Sequence, residues 1–461
     1  MSVKGKLNSI IREFKNKDEQ GIHANDAKKR NLRLILQLGL SFGYKGLSMF
    51  LSFAIVPLSI HLLGSNEYGL WLTIFSLVNF FLFFDLGLGN GLKNKITIAL
   101  ANNNTEDVKR YISTGYIVFA SLSLFLILIL VLVVKLAKIQ SILTIGDIAS
   151  NDVERAILTI GITIIISFTL NFVYNIAASM QNISFSNLGM VLNNLITVVI
   201  LIFFNVFKVR ATINLMSQVT AVSLIISMVT ANFIFFKKNP NLIPSIKYFR
   251  SDYLMNILKL SFGFFIVQIQ VIVISFTDTI IINKYLGNIE VTKYNLIYKL
   301  FNAVIVLLSL ISMPLWTVFT EAFEKKDNDW IRNVFKRFNY FVLGVAVVFT
   351  LIGVFIDQIL FVWVQKEYQI PVLLISGMVI YHVLYAWNYN YSVFLNSVSA
   401  IKEQLPYLVF TIIANVPLCI YFIKLGLGSA GVIIASAVCI LPFSIYGPYL
   451  AYKKIKLNKA V

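Results

Sequence analysis

Apolar runs long enough to cross a bilayer recur along the whole chain, and no other feature narrows its possible folds as much. A spanning helix needs about 20 mostly apolar residues to match a hydrocarbon core ~30 Å thick. Twelve such runs are read, at 34–62, 70–92, 114–135, 156–180, 188–207, 213–236, 259–282, 295–319, 339–364, 371–396, 407–425 and 430–452. Only short polar stretches separate them. Of the 461 residues, 58% are hydrophobic and 13% charged, against about 25% charged in soluble domains. No soluble core buries that much apolar surface, so the solvent is lipid. Within lipid each segment must satisfy its own backbone, which makes runs of this length helices. The expectation is an all-α membrane protein with twelve transmembrane helices.

Lysine and arginine set the orientation. With the N-terminus inside, the inner segments hold 28 of the 39 Lys and Arg, the outer loops and outer helix ends hold 10, and Lys45 belongs to neither side. Both termini are therefore expected in the cytoplasm. The net charge of +18 reads as basic inner edges facing anionic membrane lipids, not as a nucleic-acid surface. Residues 1–33 are polar, without the short apolar core of a cleavable signal peptide. Within them Val3, Leu7, Ile10, Ile11 and Phe14 share one helical face among lysines and arginines. That pattern suits either an amphipathic helix on the inner leaflet or a disordered basic tail.

The chain repeats itself. "LSFG" stands at 40–43 and at 260–263, and "LLG" ending at Gly64 corresponds to "YLG" ending at Gly287. The 223-residue offset of the two glycines also aligns "ALANNNTEDVKRYI" (99–112) with "AFEKKDNDWIRNVF" (322–335). Two halves of six spans follow, both entering the membrane in the same direction. They imply two six-helix lobes related by a pseudo-repeat, with a central cavity between them. The expected division is a basic tail (1–33), an N-terminal lobe (34–236), a cytoplasmic linker (237–258), a C-terminal lobe (259–452) and a second basic tail (453–461).

Polar groups inside spans are the candidate functional residues. Lys45 lies about 11 residues, or roughly 17 Å, into the first span. It shares a face with Gln37, Ser41, Ser48, Ser52 and Ser59, and span seven carries a matching stripe of Ser261, Gln268, Ser275 and Thr279. Two readings follow, a water-filled cavity lined by Lys45, Ser41, Ser48, Ser52, Gln268 and Ser275, or helix–helix hydrogen bonding by small polar residues. Asp278 and Lys299 sit on consecutive antiparallel spans about equally far from the intervening loop. They are expected to form an ion pair, acting as a charged gate or as a fixed clamp. His382 lies mid-span, and Trp387, Asn388 and Tyr389 follow it. These could contact a sugar or form a packed aromatic girdle.

"DLGLGNGLKNKI" (85–96) has the look of a phosphate loop. Its glycines follow a membrane helix instead of a strand, and their spacing is GxGxG, so a dinucleotide site is not expected. The stretch reads as the cytoplasmic end of span two, closed by glycine, with Asp85, Lys93 and Lys95 at headgroup level. Cys419, Cys439, His23, His61 and His382 show no metal or disulfide spacing. Neither a catalytic constellation nor a cofactor motif appears, so no enzyme is expected.

Two stretches carry a family resemblance: "PLSIHLLGSNEYGLWLTIFSLVNFFLFFDLGLGNGLKNKI" (57–96) and "SFTDTIIINKYLGNIEVTKYNLIYKL" (275–300). With the twelve-span layout, they resemble the Wzx-type O-antigen and polysaccharide flippases of the multidrug/oligosaccharidyl-lipid/polysaccharide exporter (MOP) superfamily. The resemblance implies an alternating-access carrier with a cationic cavity in the bacterial cytoplasmic membrane. Its cargo would be an oligosaccharide repeat unit on undecaprenyl pyrophosphate, destined for O-antigen and lipopolysaccharide biosynthesis. Polysaccharide assembly proteins are implied as partners. Coupling would come from a proton or sodium gradient or from the membrane potential. The alternatives are an ion-coupled multidrug exporter of the same superfamily and a membrane polysaccharide polymerase.

Overall fold

The computed structural model describes residues 22–81, 87–136, 143–182, 184–209, 211–253, 276–398, 400 and 403–460. The helices are α1 (Ile22–Asn79), α2 (Leu88–Ala101), α3 (Thr105–Leu136), α4 (Ser150–Ser179), α5 (Ser184–Val206) and α6 (Ile213–Lys238). There follow α7 (276–286), α8 (Asn288–Glu324), α9 (Asn328–Val354), α10 (Ile356–Val364), α11 (Val372–Ser397), α12 (Leu405–Phe422) and α13 (Gly428–Ala460). The described residues contain no β-strand.

Nine helical stretches among the described residues are long and apolar enough to cross a membrane. Two of them each hold a pair of expected spans. The stretch Gly39–Asn79 is broken at Gly64 (φ 77°) and Leu405–Asn458 at Gly426 (φ 84°). Expected span seven is represented by α7, its described end. The protein is an all-α membrane protein whose twelve spans form two lobes.

The helices are apolar on both sides. On α3, Phe119, Leu126, Leu130 and Val134 face the protein. Leu124, Leu128 and Leu132, exposed by 63%, 63% and 57%, face outward, where only lipid can cover them. Inside the N-terminal lobe, amide and hydroxyl groups join neighbouring helices. Tyr116 donates to Asn232 Oδ1 (2.9 Å), Asn232 Nδ2 donates to the Leu170 carbonyl (2.9 Å), and Ser123 donates to the Ile165 carbonyl (2.9 Å). In this lobe α1 packs on α5, and α4 lies against α3 and α6; in the other, α11 lies against α8 and α13, and α12 against α13. Between lobes α1 meets α8 and α10.

The repeat is legible in the backbone. Gly64 and Gly287, 223 residues apart, have φ 77° and 87°. Asn103 and Lys326, also 223 apart, have φ 54° and 56°. Each of these follows a helix closed by equivalent bonds, Asn104 N–H to the Ala99 carbonyl (3.0 Å) and Asp327 N–H to the Ala322 carbonyl (2.9 Å). The aligned pairs Ala99/Ala322 and Val108/Ile331 are all buried.

Several boundaries differ from the sequence reading: α13 runs through the expected second tail to Ala460, expected span nine is broken at Phe355 between α9 and α10, and two further changes lie in the N-terminal half. Helix α1 begins at Ile22, inside the expected tail, because "HANDAKKRNLR" holds no proline or glycine to stop it. Expected span two does not run unbroken to residue 92. Gly87 (φ 74°) caps the start of α2, and Gly89 and Gly91 are buried within it. The glycines thus open a helix as well as follow one. Beyond α6, residues 239–253 lie along the start of α3. Ser245 N–H donates to Ser113 Oγ and Arg250 N–H to Thr114 Oγ1 (both 3.1 Å), and Tyr253 donates to Asp107 Oδ1 (2.7 Å). This connection is therefore pinned to the N-terminal lobe.

Candidate functional site

The lobes close on each other at the end of the molecule that carries Gly64 and Gly287. Thr292 Oγ1 donates to the Ser65 carbonyl (2.7 Å), and the Ser65 and Tyr368 hydroxyls are 2.8 Å apart. A Cβ on Gly69 would stand 1.9 Å from the Asn288 carbonyl oxygen, so glycine is required for this approach. Beside it the loop after α3 is clasped by Asn283. The Asn283 side chain accepts from the Thr144 N–H (2.9 Å) and donates to the Thr144 carbonyl (3.1 Å), reading one residue's backbone at both ends. Deeper, Lys299 Nζ donates to the Ser52 carbonyl (2.7 Å) and Trp363 Nε1 to the Phe53 carbonyl (3.0 Å). From Ser65 to Ser52 the seam descends roughly 20 Å along α1.

Lys45 lies seven residues past the seam, roughly 10 Å further. It is half-buried and forms no ion pair or hydrogen bond among the described residues. The other members of its stripe divide. Ser48 is buried and accepts from Asn194 Nδ2 (3.0 Å) on α5, which also bonds the Ser48 carbonyl (2.9 Å). Ser59 is buried and donates to the Ile55 carbonyl. Ser41 is buried with no partner for its hydroxyl. Ser52 contributes its carbonyl to Lys299. Ser48 is thus a helix-packing group within the lobe, Ser41 and Ser59 are buried, and Lys45 stays only half-buried. Gln268, Ser275 and Asp85 lie outside the described residues. Lys93 and Lys95 are half-buried on α2.

The expected ion pair is replaced by two separate contacts. Asp278 is 4% exposed and accepts from the Tyr294 hydroxyl (2.7 Å) and from Ser436 Oγ (3.5 Å). Behind Ser436 stands Asn415, whose Nδ2 donates to it (2.9 Å). The second carboxylate oxygen, Oδ1, is buried without a hydrogen-bond partner. Lys299 is five residues beyond Tyr294, about 140° round the helix. It therefore faces α1 while Tyr294 faces α7. Its ammonium also lies 5.6 Å from the centre of the Phe53 ring.

His382 is buried among the rings of Tyr298, Phe301, Phe349 and Tyr381, with Nδ1 2.9 Å from the Met378 carbonyl and Nε2 unpartnered. Trp387 donates to the Ser444 carbonyl (3.0 Å) and Asn388 to the Ile440 carbonyl (3.1 Å), both on α13. These residues pack inside the C-terminal lobe; Tyr389 stays half-buried, stacked on Tyr385. Tyr294, Ser436, Asn415, Trp363 and Asn283 escaped the sequence reading. The signal for Tyr294 was the hairpin register centred on Gly287, and for Asn283 its amide at the end of an apolar run. Among the described residues no three His, Cys, Asp or Glu side chains cluster as a metal site.

Comparison with known proteins fits this geometry. Residues 264–421 match the MatE family model. A Yersinia pseudotuberculosis protein named "Putative O-antigen export protein" is 25% identical over 380 residues, covering 80% of this chain and 84% of its own. The fold is that of an inward-facing multidrug resistance MATE family transporter of the MOP superfamily, at TM-score 0.72 and 15% identity over 93% of this chain and 99% of the other. An outward-facing structure of such a transporter scores 0.59, at 15% identity over 93% and 96%. The chain thus shares, over nearly its whole length, the fold of these MOP-superfamily transporters, and the MatE match falls on residues 264–421 of it.

Proposed function

We propose that the protein carries an undecaprenyl-pyrophosphate-linked oligosaccharide repeat unit, of O-antigen or a similar surface polysaccharide, from the inner to the outer face of the bacterial cytoplasmic membrane. The observation that carries this reading is Lys45, a half-buried ammonium with no ion pair among the described residues, deep in a span and just past the interlobe seam. A sugar–pyrophosphate headgroup cannot enter hydrocarbon alone, because each unpaired polar group costs several kcal/mol. A central cation lowers that barrier while the polyprenyl tail stays in lipid. No covalent bond changes, so no catalytic group is needed. The name of the Yersinia relative supports the same cargo.

The seam end is the outer end on the Lys and Arg count, so the described state is sealed outward and receives cargo from inside. Asp278 is the coupling group in this reading. Its free Oδ1, next to Ser436 and Asn415, suits a proton or a small monovalent cation. A multidrug exporter is the second reading, favoured by the likeness to a multidrug resistance transporter. A central lysine repels the cationic drugs such a carrier would take.

The deciding experiment follows lipid-linked oligosaccharides in a deletion strain. Complete repeat units should accumulate on the inner face, and the intact gene should clear them. A strain that still delivers repeat units outward but becomes sensitive to cationic drugs would establish the exporter instead.

A further inference from the structure

Pro57 lies inside α1. A proline has no N–H, so the carbonyl four residues earlier loses its helical partner. That carbonyl belongs to Phe53, and it is the one that accepts from Trp363 (3.0 Å), a residue of the other lobe. The neighbouring Ser52 carbonyl, with a second lone pair free, accepts from Lys299 (2.7 Å). The Phe53 ring lies between the two donors, 4.9 Å from the Trp363 ring and 5.6 Å from the Lys299 ammonium. A buried ammonium needs such compensation, and here it is supplied by one carbonyl and one aromatic face.

The same device recurs within a lobe. Pro448 lies inside α13 and frees the Ser444 carbonyl, which Trp387 of α11 occupies (3.0 Å). Within membranes such freed carbonyls are met by neighbouring helices. The Trp387 contact joins helices of one lobe and persists while the lobes move as bodies. The Trp363 contact joins lobes and must break when they part.

We infer that Trp363 and Lys299 are positioning residues that hold the transporter closed to the outside by binding the Phe53 and Ser52 carbonyls, the first of which is available because of Pro57. Outward opening then exposes an unbonded carbonyl in α1 and releases the Lys299 ammonium into the space between the lobes. This inference rests on alternating access but on no particular cargo.

The test measures lobe separation without substrate, so its failure is distinct from failure of the cargo assignment. Spin labels are placed at Asn151→Cys and Lys366→Cys, on the seam ends of the two lobes, in a Cys419→Ala/Cys439→Ala protein in nanodiscs. Trp363→Phe should lower the closed-to-open ratio roughly fivefold, the effect of one lost hydrogen bond. Lys299→Met should lower it further, and Lys299→Arg should restore most of the closed population. Trp387→Phe should leave the distribution unchanged. Pro57→Ala returns the Phe53 carbonyl to its helix and leaves Trp363 only the second lone pair, so adding Trp363→Phe to it should have a clearly smaller effect than in the native protein. The inference is overturned if Trp363→Phe acts equally strongly with and without Pro57, or if Trp387→Phe opens the lobes as much as Trp363→Phe. Should Pro57→Ala fail to insert, the contrast between the two tryptophans decides alone.

Discussion

At the rim of the seam the two lobes meet through corresponding residues, and deeper in the membrane they do not. With the 223-residue offset, Ser65 corresponds to Asn288 and Gly69 to Thr292. The rim contacts are Ser65 with Thr292 and Gly69 with Asn288, each the image of the other. A contact of this kind lies on the pseudo-twofold axis and closes symmetrically. Deeper, Lys299 corresponds to Ser76, which carries no charge, and Asp278 to Ile55. Symmetry therefore survives where the lobes only have to shut. It is lost where they have to act differently, the N-terminal lobe offering a half-buried cation and the C-terminal lobe keeping a buried acid.

The deep charges should accordingly give the largest effects. Asp278→Asn keeps an oxygen for the Tyr294 hydroxyl, so the fold should hold while gradient-driven transport is lost altogether. Energised vesicles report this. Transport that still follows the gradient in Asp278→Asn would move the coupling site elsewhere. Lys45→Ala should lower delivery of repeat units about 10- to 100-fold, the range of one charge-assisted hydrogen bond. Lys45→Arg should keep part of it, and Lys45→Glu should be worse than alanine. Polysaccharide output at limiting, matched membrane expression is the readout. If Lys45→Ala matches the native protein there, the asymmetry of the deep region has another purpose.

At the rim the effect should be intermediate and conformational. Gly69→Ala places a methyl 1.9 Å from the Asn288 carbonyl oxygen, so the lobes must separate locally. Overpacking costs about 1–3 kcal/mol, enough to shift the closed-to-open ratio about tenfold. A cysteine replacing Thr292, buried in the closed rim, should then label faster with an impermeant thiol reagent. Unchanged labelling would mean that the rim is not the closing surface.

Much of this plan was legible in the sequence because its signals are local. Apolar runs, the two "LG" breaks and the paired "ALANNNTEDVKRYI" and "AFEKKDNDWIRNVF" segments each declare themselves without knowledge of their neighbours. Facing is harder to read. Each residue turns a helix by 100°, so a small error in hairpin register exchanged Tyr294 for Lys299 as the partner of Asp278. The serine stripe of α1 was real, but its direction depended on Asn194, more than 130 residues away. Pro57 was visible in the sequence; that its freed carbonyl would meet Trp363 of the other lobe was not.

The smallest effect should come from Asn194, and it tests which way the serine stripe faces. Its amide bonds both the Ser48 carbonyl and the Ser48 hydroxyl across α1 and α5, within one lobe. Hydrogen bonds between membrane helices average about 0.6 kcal/mol, so Asn194→Ala should lower thermal stability slightly. Ser48→Ala should cost less, because the Asn194 amide keeps the backbone carbonyl. Since both groups belong to one rigid lobe, neither change should alter the label distances between lobes or the transport per folded molecule. Thermal unfolding in detergent, with transport measured at matched protein, separates the two outcomes. A transport defect in Ser48→Ala at native stability would return that hydroxyl to the cargo pathway, and the deep N-terminal surface would then comprise more than Lys45.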